Sequence, residues 1–113
     1  MSVTYLESGQ NNTEIIKNAN LIIGAGDVAR DGILHQKPCI VIGNYGLGGL
    51  MTPVMFHSHF DNNFKGRIDG KEDEYFSLEL LENEIKRSEL VTSQELRMMS
   101  NQMEAYLLNK SNN

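Results

Sequence analysis

The chain has 113 residues, a formal charge of −5, ten Lys plus Arg and a single cysteine. That length suits one domain with a modest core. The acidic balance excludes nucleic acid and anionic membrane surfaces as partners, since both need clustered positive charge. The longest apolar runs, Leu21–Ile23 and Cys39–Ile42, are far too short to span a bilayer. No basic or apolar leader opens the sequence, so the expected compartment is the cytoplasm.

In chain order, "VTYL" (Val3–Leu6) reads as a β-rich run closed by the turn-prone "ESGQNN". Asn12 or Thr13 can cap a helix over "TEIIKNA", with Ile15, Ile16 and Ala19 as its apolar face. "LIIGAG" follows as a strand without polar alternation, as expected where both faces are covered. Asp27 is placed to cap a helix from about Val28 to Gln36, and Pro38 stops it before the strand "CIVIG", Cys39–Gly43. Cys39, inside that strand, reads as a buried apolar residue. Strand and helix alternate through residues 1–50, which predicts a parallel three-stranded βαβαβ sheet. Residues 51–113 read as a helical continuation of the same domain.

Four glycines between Gly43 and Gly49 predict a loop. Thr52–Pro53 predicts a helix start leading through "VMFHSHFDNNF", and "KGRIDGKEDE" is a polar excursion. Ser77 is the expected cap of a helix with Leu78, Leu81 and Ile85 on one side. Thr92 and Glu95 form a capping-box pattern for the last helix. Its Leu96, Met99, Met103 and Leu107 recur at helical spacing, which marks core packing rather than an open methionine surface. The end, "NKSNN", is expected to fray.

Two readings compete for the glycine stretch. Gly24-x-Gly26-x-x-Ala29 between a strand and a helix suits a dinucleotide pyrophosphate. Yet the acid expected about 20 positions on is replaced by Gly43–Asn44. An NAD(P)-binding oxidoreductase fragment is therefore the second choice. More residues support another resemblance: "GAGDVARDGILHQKP", then "CIVIG", "GNYGLGGLMTP" and "NNFKGR". Over roughly residues 3 to 70 the chain resembles the nucleotide-sugar domain of two-domain, Rossmann-like GT-B glycosyltransferases, and specifically half of that donor domain. Asp31–Gly32 stands where that family shows Glu-Ala, and Gln36–Lys37–Pro38 where it shows Gly-Lys-Pro.

The resemblance implies transfer of a sugar from a nucleotide diphosphate sugar to an acceptor hydroxyl. It implies a donor site of Gly24, Ala25, Gly26, Asp27, Val28, Arg30 and Asp31, closed by Gly43, Asn44 and Gly46. Bare helix N–H groups would take the diphosphate, and Asp31 the ribose hydroxyls. An N-cap carboxylate at Asp27 would compete for those same N–H groups. No cofactor or metal is implied. The acceptor side and any catalytic base would come from an N-terminal acceptor domain or a second copy of the chain, so the portion alone is expected to be inactive. A copy could also cover the edge strand "VTYL". The plainer alternatives are a tight strand-to-helix turn at Gly24–Gly26 and a non-catalytic interaction module built on the C-terminal helices.

Three histidines complete the inventory. On a helix His57 and His59 point to nearly opposite sides and cannot share an ion. On a strand they would point the same way and, with Asp61, suggest a metal site. His35 falls at a helix C-terminus, where the dipole favours it.

Overall fold

The computed structural model describes residues 13–68, 70–72 and 75–111. The expected strand Val3–Leu6 lies outside them. The elements are α1 (Thr13–Asn18), β1 (Ile22–Gly24), α2 (Gly26–Leu34), β2 (Cys39–Gly43), β3 (Gly46–Leu50), α3 (Phe56–Asp61), α4 (Leu78–Ser88) and α5 (Ser93–Ser111).

The fold is mixed α/β, with a three-stranded sheet in the order β1-β2-β3. β1 and β2 are parallel, with Ile22 opposite Cys39 and Gly24 opposite Val41. Their connection through α2 is the βαβ unit that the sequence predicts. The third strand corrects the expectation. Among the described residues it is the glycine-rich segment itself, paired antiparallel with β2. Gly43 pairs with Gly46, leaving only Asn44 and Tyr45 to make the turn. So short a connection can join only antiparallel strands. Gly46 and Gly49 have φ of +90° and +93°, which a β-carbon would resist. The glycines thus signal a crowded hairpin rather than an irregular loop.

Side chains alternate across β2 and divide the packing between two faces. Cys39 and Val41 join Ile16, Ile22, Val28, Ala29, Ile33, Met99 and Met103 in one core beneath α1, α2 and α5. Ile40 and its partner Leu50, both buried, face the other way, where α4 packs on β2 and β3. α1 enters the core through Ile16 alone, and Ile15 is exposed. On α4, Leu81 and Ile85 are half-buried, while Leu78, expected on the same side, is exposed.

The helix ends show which local signals act. Ser77 Oγ accepts from the Leu80 amide at 3.3 Å. At α5 the capping box is complete: Thr92 Oγ1 accepts from the Glu95 amide, and Glu95 Oε1 from the Thr92 amide, both at 3.1 Å. The Met stripe of α5 is buried as expected, and Ser100 ties the helix to the Leu34 carbonyl at 3.0 Å. The helix runs to Ser111, past the point where fraying was expected. Thr52–Pro53 does not open α3. Residues 53–55 form a turn, closed by Met55 donating to the Thr52 carbonyl at 3.1 Å, and the helix begins at Phe56. It stops at Asp61, three residues short of the expected stretch.

Candidate functional site

The stretch from β1 into α2 is shaped by close packing. A β-carbon on Gly24 would lie 2.8 Å from Val28 Cγ1, and one on Gly32 would lie 3.0 Å from Ile22. These glycines let the helix settle onto its own strand. Gly26 differs: its φ is +55° and nothing stands within 4 Å of where a β-carbon would project. Here the backbone turns in the left-handed region and faces open space.

The N-cap of α2 is Ala25, not Asp27, and no side chain caps the helix. This corrects the placement of Asp27, which sits inside the first turn with its carboxylate on the Arg30 guanidinium. The Gly26 amide donates to the Phe64 carbonyl at 3.0 Å. Beyond that amide, the first-turn N–H groups lack intrahelical acceptors, as at any helix start.

A cleft of about 520 Å³ opens beside this turn, lined by Gly26, Arg30, Phe60, Asn63, Phe64 and Leu107. Two of the residues expected in the site, Gly26 and Arg30, therefore face it. Gly24, Ala25 and Val28 form the strand-to-helix turn behind it, and neither Asp27 nor Asp31 is among its lining residues. Instead the Asp31 carbonyl accepts from the His35 amide and lies 2.8 Å from His35 Nδ1, as suits a histidine at a helix C-terminus.

Gly43, Asn44 and Gly46 do not close over the cleft; they belong to the β2–β3 turn. A β-carbon at Gly43 would lie 2.1 Å from the Lys65 carbonyl oxygen and 2.9 Å from Ala25 Cβ. The backbone of residues 64–66 lies over the glycine hairpin, where a ligand was expected. The Tyr45 amide donates to the Lys65 carbonyl at 3.3 Å, and the Arg67 amide to the Tyr45 carbonyl at 3.2 Å.

Four lining residues escaped the sequence reading: Phe60, Asn63, Phe64 and Leu107. Asn63 and Phe64 reach the cleft because α3 ends in a Schellman arrangement. The Asn63 amide donates to Phe60 and the Phe64 amide to His59, at 3.1 and 2.9 Å. Asn63 and Phe64 both take left-handed φ, 56° and 54°. Phe64 is thereby folded into the core against Phe56 and Phe60, while Phe60 stacks on Tyr106 of α5 with centroids 4.4 Å apart. "DNN" after an aromatic pair at i and i+4 was the available signal, since asparagine enters the left-handed region readily.

His57 and His59 lie on a helix, so the helical reading of "FHSHFD" holds. His57 is exposed and its ring meets the Tyr106 hydroxyl. His59 is fully buried, and that burial lowers its pKa, opposed in part by the Gly48 backbone. Among the described residues no group of three His, Cys, Asp or Glu side chains could hold a metal ion. Cys39 is buried, and desolvation pushes its thiol pKa up to about 12, which keeps it protonated and unreactive. No helix among the described residues is long and apolar enough to cross a membrane. Comparisons with protein families, curated proteins and solved structures find no match to this chain.

Proposed function

We propose that the chain is the donor-binding portion of a glycosyltransferase and takes a nucleotide diphosphate sugar in the cleft beside α2. The observation that carries this reading is the meeting, in one open cleft, of a helix start without a side-chain cap, an unobstructed glycine and the Arg30 cation. First-turn amides and a guanidinium are the groups that receive a diphosphate. Arg30 is already paired with Asp27, but both side chains are partly exposed, and such a pair is worth only about 0–1 kcal/mol. A ligand's own charge-assisted bonds, at about 1.5–3 kcal/mol each, outweigh that loss.

In sugar transfer the bond from the anomeric carbon to the diphosphate breaks, and negative charge grows on the leaving oxygens. Arg30 and the amides of α2 would stabilise that charge. The residues lining the cleft include no carboxylate or histidine to deprotonate the acceptor. That base is assigned to an acceptor domain or to a second copy of the chain. Asp31 keeps its role as the ribose contact in this reading, although it is not among the residues lining the cleft.

Titration of the isotope-labelled chain with UDP, and separately with NAD, tests the site by amide shifts. Shifts at Gly26, Arg30, Asn63 and Phe64 are expected with UDP, and Arg30→Ala should weaken binding about tenfold. Perturbation by NAD alone would favour the dinucleotide reading. Silence with both would leave an interaction module, the reading that the Phe64 carbonyl on the Gly26 amide favours.

A further inference from the structure

His59 is the one fully buried imidazole among the described residues, and neither ring nitrogen makes a well-formed hydrogen bond, although the Gly48 backbone lies near enough to favour the charged ring in part. Buried polar groups are nearly always satisfied, so this one needs a reason. A neutral ring can be held there at modest cost, whereas a charged one cannot. The ring lies parallel to Phe64, with planes 11° apart and centroids at 6.5 Å. Its Cε1 also stands 2.7 Å from where a β-carbon on Gly48 would be, and the Gly66 carbonyl oxygen lies 2.5 Å from that same point. The imidazole is thus enclosed between α3, β3 and the 64–66 segment.

We propose that His59 is a proton-operated latch: charging its ring lifts the 64–66 segment off β3 and α2 and frees the Gly26 amide held by the Phe64 carbonyl. Among the described residues no charged side chain is positioned to stabilise the cation in place. His57 and Asp61 on α3, and Lys65 and Arg67 on the segment, are all exposed. β3 carries no charge, and Glu84 of α4 lies instead over Gly49. The segment is the part that yields, because it starts with two consecutive non-glycine residues in the left-handed region, and letting go relieves their strain. Opening it also removes Phe64 and Asn63 from the wall of the cleft, so acid should expose the anion-binding end of α2. The coupling to a ligand rests on the donor-site reading above; the latch itself does not.

The test is native-state hydrogen exchange on the full chain from pH 8 to 5, with rates corrected for intrinsic exchange. Opening at the Gly26 and Arg67 amides should rise about tenfold per pH unit below about pH 6.5, as one proton is taken up. The Met103 amide in α5 should show no such slope, and His59→Phe should abolish it at Gly26. His59→Leu serves the same purpose if the phenylalanine variant folds poorly. A matching slope at Met103, a flat profile at Gly26, or a slope that survives both variants would each overturn the latch. UDP is the ligand probe, and its affinity should increase on acidification. If UDP fails to bind while the slope is present, the donor-site reading falls and the latch stands.

Discussion

Gln36 and Asn63 do the same job at the ends of two helices, and neither is glycine. Gln36 has φ 58°; its amide donates to Ile33 and that of Lys37 to Gly32, both at 3.0 Å. This is the Schellman pattern that usually selects glycine at its left-handed position. A side chain there costs about 1 kcal/mol. Gln36→Gly should therefore raise stability by about 1 kcal/mol, read as a higher urea midpoint at unchanged slope. Gly43 is the opposite case. Its β-carbon would fall on the Lys65 carbonyl, a backbone atom that cannot rotate away. Gly43→Ala is expected to cost about 2–3 kcal/mol by overpacking and to shift the amides of Tyr45 and Arg67. An alanine that left both unchanged would show the 64–66 segment lying elsewhere in solution.

The starts of α4 and α5 were legible because their chemistry is local, whereas the starts expected at Asp27 and Thr52 were displaced by tertiary packing. Ser77 and the Thr92–Glu95 pair act on amides within three residues, and no distant contact is needed to recognise them. Thr92→Ala should cost about 1 kcal/mol, measured by thermal or urea unfolding, with the loss centred on the first turn of α5. Strand identity was less legible. "GLGGL" lacks the β-branched and aromatic residues by which strands are recognised. It pairs because β2 offers a free edge two residues away and because its glycines allow Gly66 and Glu84 to approach closely. For the same reason the closing half of the expected donor site moved. Gly43, Asn44 and Gly46 are expected as a loop closing over the donor, whereas they form a hairpin already covered by the chain's own backbone.

At the scale of the molecule, no strand among the described residues pairs with the far side of β1, and Ile23 on it is 41% exposed. A free edge beside exposed apolar surface is a template for another chain. We expect association in solution, seen by light scattering as twice the 12.7 kDa chain mass; a stable monomer at micromolar concentration would contradict it. The donor-site proposal also belongs to this scale, since its cleft draws on α2, α3 and α5 together.

The sequence alone determined whatever depends on near neighbours: the βαβ unit, the buried run of β2, the caps of α4 and α5, and the methionine stripe in the core; the expectation of two covered faces fails at β1, where Ile23 is exposed. It also singled out Gly26 and Arg30. Tertiary structure decided the rest. Phe60, Asn63, Phe64 and Leu107 lie more than thirty positions from Gly26, and no periodicity links them to it. They meet because α3 ends in a left-handed turn that folds Phe64 into the core and brings its carbonyl to the start of α2. Local patterns record what a residue does to its own backbone. Which surfaces then face each other is settled by packing, and packing is where the cleft and the buried histidine arise.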